Sequence, residues 1–298
     1  MSTELIIEAN LSKKILFEAL SIAKEFEATY SAYKDDSLVA RINASAGKNP
    51  VSCRAQEIEI FQKAYAIAQE SDGVFDPTIG ALTQGTYGFG TKHAHLPSSK
   101  ELQKAKELVN YKDFMVTQKD VYLKKKGMQL DLGGIGKGFI ADKLIRFLQD
   151  RGATKGLVSA GGEIVTFGKE YIVALKNPFG EGNCAIIKSS KEAISISTSG
   201  DYERYIGSKE HHHILDRTTA KQNHYYSSIT LIKNGVDATL LDGVSTIAFN
   251  AKKSELAAIA KKFELAIVAI TEDKEIYFEN FSNLAIKGFE IYPFTGDK

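Results

Sequence analysis

Apolar residues recur at two periods along the chain, and those periods mark out its elements. Between Leu11 and Tyr33, the residues Ile15, Leu16, Ala19, Leu20, Ala23, Phe26 and Tyr30 return every three or four positions, which predicts one long helix. The same spacing at Ile58, Phe61, Tyr65 and Ala68 predicts a second helix from about Glu57 to Glu70, stopped by Gly73. Ser98-Ser99-Lys100-Glu101 has the reciprocal Ser/Glu spacing of a capping box and opens a third. Further helices are expected at about Gly136–Asp150, closed by Gly152, and at Ala238–Asn250 and Ser254–Phe263. Short alternating or apolar runs predict strands at Leu5–Ala9, Phe114–Thr117, Val121–Lys125, Met128–Leu132, Gly156–Ala160, Tyr171–Leu175, Ala193–Ser197, His212–Leu215 and Ser227–Ile232. A hairpin of Leu265–Thr271 and Glu275–Glu279 closes the series. Strands and helices come in blocks rather than in alternation. That predicts an α+β fold with mainly antiparallel sheets packed by helices, not a doubly wound parallel sheet.

No proline- or serine-rich linker divides the 298 residues, so one domain is expected, with room for two lobes. Residues Gly73 to Pro97 form a long, apolar, glycine-rich loop, the kind of segment that is often functional. Hydrophobic residues make up 43% of the chain and charged residues 25%, which excludes a disordered or fibrous protein. Lys and Arg number 38 against 37 Asp and Glu, so there is no basic excess to grip a nucleic-acid backbone. Cys53 and Cys184 lie too far apart for a thiolate zinc motif or a disulfide scaffold. The longest apolar run, Leu265–Ile270, is strand-sized, whereas a membrane helix needs about 18 residues or more. Glu4 stands where a signal peptide would carry positive charge. As it stands the sequence predicts a soluble, cytoplasmic chain, or a periplasmic one if an upstream leader was removed.

Four segments could carry chemistry. In Leu130-Asp131-Leu132-Gly133-Gly134-Ile135-Gly136-Lys137-Gly138 a strand-like run passes through glycines into an amphipathic helix. Such a turn lets backbone approach a phosphate and aims helix N–H groups at it. Lys137 sits in the first helical turn, where a cation is disfavoured, and so points to an anionic partner. The segment is neither a Walker loop nor a dinucleotide fingerprint, since Asp131, Gly138 and Phe139 occupy key positions of those patterns. A plain strand-to-helix turn with a solvated lysine is an equal reading of the spacing. In Asp237–Thr246, Asp242 and Thr246 are four apart and share a helix face. A carboxylate and a hydroxyl there suit Mg²⁺, although an exposed polar face with Asp237 as N-cap is the simpler reading of that segment alone. In His211-His212-His213 consecutive side chains alternate faces, so the three cannot converge on one ion. His211 and His212 read as surface residues, and one of the three is a candidate base. The glycine turns Ser159–Glu163 and Ser197–Tyr202 are plain hairpins or backbone surfaces for a planar ligand.

Together and in order, these stretches resemble the ApbE family of FAD:protein FMN transferases. Met1-Ser2-Thr3 resembles the family's opening Met-Gly-Thr, and Tyr30 to Asn43 its "STY…S…RLN" stretch. Asp72 to Gly80 resembles "GAFDPTVG", and Gly88-Phe89-Gly90 the following "WGFG". Asp131 to Gly138 resembles "DLGGIAKGY", Thr198 to Tyr202 matches "TSGDY", His213 to Asp216 resembles "HIIDP", and Asp242 to Thr246 resembles "DALST". Arg217 replaces a proline, Ala220 a usual glycine, and Gly243 a helix-favouring alanine.

The resemblance implies a T-fold-related α+β architecture and an enzyme that binds FAD and Mg²⁺. Such enzymes transfer the FMN half to a threonine or serine of a target flavoprotein, such as a redox-complex subunit, and release AMP. It implies Mg²⁺ contacts from the Gly134 carbonyl and from Asp242 and Thr246. It implies FAD contacts at Met1, Tyr33, Val74, Phe75, Asp76, Asp131, Lys137 and Leu215, with the adenine end against the Gly73–Gly90 loop and Tyr33. His213 falls on the residue credited with proton transfer, and Asp242 counts with it as catalytic. A Mg²⁺-dependent FAD pyrophosphatase and a non-catalytic flavin-binding protein are the rival expectations.

Overall fold

The computed structural model describes residues 4–294. The chain opens with β1 (Leu5–Ala9), α1 (Lys13–Tyr30), α2 (Leu38–Ala44), β2 (Val51–Ser52), α3 (Ala55–Glu70), α4 (Gly80–Thr83) and α5 (Ser99–Lys106). Next come a 3₁₀ turn at Tyr111–Asp113, β3 (Phe114–Val116), β4 (Asp120–Leu123), α6 (Gly136–Asp150), β5 (Gly156–Ala160), β6 (Glu163–Phe167), β7 (Ile172–Lys176) and β8 (Asn183–Ser189). The chain continues through β9 (Ile194–Gly200), β10 (Tyr205–Ile206), β11 (Ser208–His212), β12 (Ser228–Asn234), α7 (Ala238–Asn250) and α8 (Lys253–Lys262). It closes with β13 (Ala266–Ile270), β14 (Ile276–Glu279) and β15 (Ile286–Ile291). Helices and antiparallel sheets make this the expected α+β fold.

The described residues fall into two compact units. One comprises Lys24–Gly136 and Asp201–His224; the other comprises 4–23, Lys137–Gly200 and 225–294.

The first unit holds the small antiparallel sheet β2-β4-β3 and the hairpin β10-β11. Its α3 lies on β3 and β4. A separate apolar cluster gathers Leu82, Tyr87, Phe89, Leu102, Leu215 and Ala220. Of the predicted strands here, one is absent and one is displaced. Met128–Leu132 has only the isolated bridge of Gln129 to Ile79. The Asn43 side chain takes both the N–H (2.8 Å) and the C=O (3.3 Å) of Leu130, supplying the partners a ladder would give. His212–Leu215 is displaced: the strand is Ser208–His212, and Leu215 turns into the apolar cluster instead. The unpredicted α2 is short and opens at Ser37, whose Oγ accepts the Ala40 N–H at 3.0 Å. The capping box of Ser98 and Glu101 forms as expected.

The second unit is built on a seven-stranded antiparallel sheet in the order β1-β5-β6-β9-β12-β13-β14. Helix α7 lies against β6, β9 and β12, and α8 against β13 and β14. A second sheet, β15-β8-β7, shares a core with Ile194, Ile196, Val268 and Ile270 and with the partly buried Phe179, Phe281 and Phe289. Among the described residues no helix is long and apolar enough to cross a membrane.

Helices α6 and α7 approach at Gly138. A Cβ there would lie 2.1 Å from the Ala238 carbonyl oxygen and 2.9 Å from the Asp242 Cβ, so only glycine fits. The first N–H groups of α7, at Ala238 and Thr239, donate to the Asp142 carboxylate of α6 at 2.8 and 2.9 Å. The Thr239 hydroxyl donates to it at 2.5 Å. Asp237, the expected cap, makes no side-chain capping bond. Asp142 instead meets the orphan donors and positive end of α7, so one helix caps the other. Gly138→Ala is therefore expected to destabilise by about 2 kcal/mol or more despite alanine's better helix propensity. Gly136→Ala, whose Cβ would meet the Phe26 ring only at 3.8 Å, is expected to be neutral or slightly stabilising. Urea unfolding of the two variants checks this; equal stabilities would refute the close-approach argument.

Candidate active site

In the second unit the site residues converge on Lys137. Its Nζ lies 2.8 Å from Asp242 Oδ1 and 2.7 Å from Glu163 Oε1. The other Asp242 oxygen, Oδ2, accepts the Gly138 N–H at 2.9 Å. The lysine in the first turn of α6 thus has the anionic partner its position called for, and that partner is the protein's own pair of carboxylates. One N–H of that helix start also points at Asp242, so it is not a bare phosphate cradle. Asp242 is only 2% exposed, and α7 is buried on most of its surface. The reading of this helix as an exposed polar face is corrected: the helix lies on the central sheet. Thr246 follows one turn on, and Ser245 donates to the Asp242 carbonyl at 2.7 Å.

Glu163 is the residue that spacing missed. It begins β6, opposite Ala160 on β5 and Ser197 on β9. Gly162 before it passes so close to β9 that a Cβ would lie 2.5 Å from the Thr198 carbonyl oxygen. Glu163 is 1% exposed. Its Oε2 makes no hydrogen bond of ordinary geometry, although Ser197 is a polar neighbour. Burial, and then the charge of Asp242, push its pKa up to about 7 against the pull of Lys137. Burial opposes the charge on Lys137, but Asp242 and Glu163 outweigh it and hold the ammonium charged well above the ordinary lysine range. The sequence signal was an acid directly after a double glycine, in a turn already singled out.

In the first unit the glycine turn is fixed by Asp131, which accepts from the Thr83 hydroxyl at 2.6 Å and from the Gly133 N–H at 2.8 Å. Gly134 is half-buried in the same turn. Tyr33 is 47% exposed and donates its hydroxyl to the Phe89 carbonyl at 3.0 Å, above Gly90. Burial, and then Asp131, raise its pKa. Val74 is exposed, while Phe75 and Asp76 are buried. Both Asp76 oxygens serve the protein: Oδ1 takes the Thr78 N–H and hydroxyl, and Oδ2 takes the Tyr111 N–H at 2.8 Å with Arg217 at 3.5 Å. Burial raises its pKa against these partners. Leu215 is likewise buried. Met1 lies outside the described residues.

His213 follows β11. Its N–H donates to the Arg204 carbonyl at 3.0 Å, and Nδ1 lies 3.2 Å from the same oxygen. A carbonyl only accepts, so Nδ1 carries a proton in this contact. The turn that follows carries both departures from the family pattern, Arg217 and Ala220. Asp216 caps it through the Thr218 N–H at 2.6 Å, and Ala220 adopts φ 59°, the left-handed region that favours glycine. The expectation that His212 is a surface residue is corrected. It is 1% exposed, with Nε2 donating to the Asn223 carbonyl at 3.2 Å, and burial lowers its pKa to about 4.

The donor set suits a hard divalent cation. Asp242 has one protein donor on each oxygen, Glu163 has an unsatisfied buried oxygen, and Thr246 adds a hydroxyl. Among the described residues no three His, Cys, Asp or Glu side chains form a metal-binding group.

An α+β fold with a glycine turn entering one helix and a buried carboxylate on the helix it touches defines the class. The model of the ApbE family matches residues 1–270, and the chain belongs to that family. A Klebsiella pneumoniae protein named FAD:protein FMN transferase is 30% identical over 92% of this chain and 89% of its own length. A Treponema pallidum protein of the same name is 28% identical, covering 83% and 74%. Among solved structures, an ApbE protein from Thermotoga maritima superposes with a TM-score of 0.82 at 27% identity, over 93% of this chain and 94% of that one.

Because His212 stays neutral when folded, it binds a proton in the unfolded chain first. Its contribution to stability is complete above about pH 6.5 and is lost as pH falls toward about 4. That loss is expected to be on the order of 3 kcal/mol. In His212→Gln the pH dependence of the urea midpoint between pH 6.5 and 4 should flatten; an unchanged profile would count against the buried neutral imidazole.

Proposed function

We propose that this protein transfers the FMN half of FAD to a threonine or serine hydroxyl of an acceptor flavoprotein and releases AMP. Family membership and relatives named FAD:protein FMN transferase support the substrate and the transfer. The observation that carries the chemistry is Asp242, a buried carboxylate aimed by Lys137 and the Gly138 N–H, one helical turn from Thr246. In this reading Asp242, Thr246 and the Gly134 carbonyl hold Mg²⁺, which when bound neutralises charge on the FAD diphosphate.

The chain's own residues do the rest. The turn of Asp131 to Gly136 brings backbone to the diphosphate. Tyr33, the Phe89-Gly90 segment and the Val74-Phe75-Asp76 backbone receive the nucleotide, a planar ligand suited to apolar walls with few polar anchors. His213 takes the acceptor hydroxyl's proton on Nε2. The hydroxyl oxygen bonds to the FMN phosphorus, the bond from that phosphorus to the bridging oxygen breaks, and AMP leaves with that oxygen.

Incubation with FAD and Mg²⁺, with and without an acceptor flavoprotein, tests the reading. AMP release that requires the acceptor supports transfer. Free FMN and AMP without acceptor would mean hydrolysis, and no AMP in either arm would mean a flavin binder. Asp242→Asn, which keeps an oxygen for the Gly138 N–H, should abolish Mg²⁺-dependent AMP release while leaving circular dichroism unchanged. His213→Ala should slow transfer by about 10²–10⁴-fold with FAD affinity preserved, and should remove the acid limb of the pH–rate profile. Retention of that limb would assign the base elsewhere.

A further inference from the structure

The Lys137 ammonium is shared between two carboxylates at nearly equal distance, 2.7 Å to Glu163 and 2.8 Å to Asp242. Both acids are almost wholly buried and the Lys137 side chain is 30% exposed, so with both acids ionised the cluster carries one net negative charge on buried oxygens. An uncompensated buried charge is costly and is retained where something neutralises it. Among the described residues no second cation pairs with these acids, and Glu163 Oε2 is buried with no hydrogen bond of ordinary geometry.

We propose that Glu163 is a positioning residue that holds Lys137 as a bridge between the two carboxylates, so that Asp242 is oriented by the ammonium but not neutralised by it and stays able to take a divalent cation. This rests on the reading of Asp242 as the Mg²⁺ ligand. Without the Glu163 charge, Lys137 becomes the sole counter-ion of Asp242 and competes with the metal. With it, the cluster accepts a divalent cation and ends with one net positive charge, the sign that complements an anionic diphosphate.

Charge arithmetic separates this role from a merely structural one. Mn²⁺, which shares the preference of Mg²⁺ for oxygen ligands, is titrated into the full-length, FAD-free protein at pH 8. Free Mn²⁺ is read by electron paramagnetic resonance, with Mg²⁺ as competitor. Glu163→Gln, a neutral cluster, should raise the Mn²⁺ Kd by about tenfold or more. Removing the ammonium as well, in the Glu163→Gln, Lys137→Met double variant, restores one net negative charge and should return the Kd to within about threefold of wild type. Lys137→Met alone should bind more tightly than wild type, and this arm decides the matter if Glu163→Gln does not fold. Wild-type affinity in Glu163→Gln, no recovery in the double variant, or unchanged affinity in Lys137→Met would each overturn the proposal. Asp242→Asn tells the two ideas apart. If it binds Mn²⁺ as wild type does, or if wild type binds none, the Mg²⁺ reading itself fails and the proposal with it. If Asp242→Asn loses binding while Glu163→Gln keeps it, only the role of Glu163 falls.

Discussion

The contact of α6 with α7 is the constraint on which the second unit depends. Two helices can touch backbone to backbone only where a Cβ is missing, and Gly138 supplies that position against Ala238. The contact would bury the N-terminal donors of α7 unsatisfied, and Asp142 answers by accepting three of its hydrogen bonds. Burial raises the Asp142 pKa even against those bonds, so the carboxylate stays there because the helix end needs it. Once α7 is pinned in this register, Asp242 falls one turn further on, within reach of the Gly138 N–H and of Lys137. A single close approach therefore sets the packing of the helices and the aim of the carboxylate together.

That coupling explains why so much charge is tolerated under α7. A lone buried acid would protonate or force its surroundings open, as the upward push on Glu163 shows. Lys137 offsets part of that charge: its stem is anchored in the first turn of α6, and its ammonium lies between a strand-borne and a helix-borne acid. Each member is borne by a different element, α6, β6 or α7, so the geometry survives only while all three elements are packed. Stability of the unit and readiness of the site are, in this sense, one property.

Elements whose signal is local were legible. Helices α6 and α7 and strands β1 and β5 have the boundaries that periodicity and glycine stops indicate, and the box at Ser98 and Glu101 needs only four consecutive residues. Much of what escaped was nonlocal. Strands β8 and β15 pair across about a hundred positions, and β15 carries glycine in a weakly apolar run. The backbone of Met128–Leu132 is satisfied by Asn43, far earlier in the chain, so its strand-like pattern has no ladder. Glu163 lies in a glycine turn that drew notice, but its role was not legible because its partner Lys137 precedes it by a helix and a strand, and only the sheet brings them together. Motif resemblance singled out Asp76 and Leu215 but did not tell what their side chains do, which is to build the loop and the core.

The first unit solves the same problem by different means. Its candidate ligand-binding residues sit on turns rather than on a large sheet, and turns need tethers. Asp131 ties the glycine turn to Thr83, Tyr33 is held by the Phe89 carbonyl, Asp76 gathers Thr78 and Tyr111, and Asp216 caps the segment after His213. Each tether joins a side chain to a backbone group or hydroxyl, and several reach across a long stretch of sequence. Such bonds fix backbone direction while leaving peptide groups in the turn to meet a ligand, which a regular ladder would not do. Ala220 shows how firmly the arrangement is held. It keeps a left-handed conformation that glycine would adopt without cost, stabilised by its burial against Leu215 and by the Tyr87 hydroxyl on its carbonyl. Alanine at the position of the family's usual glycine is thus held in the conformation a glycine would take, in the turn that follows His213.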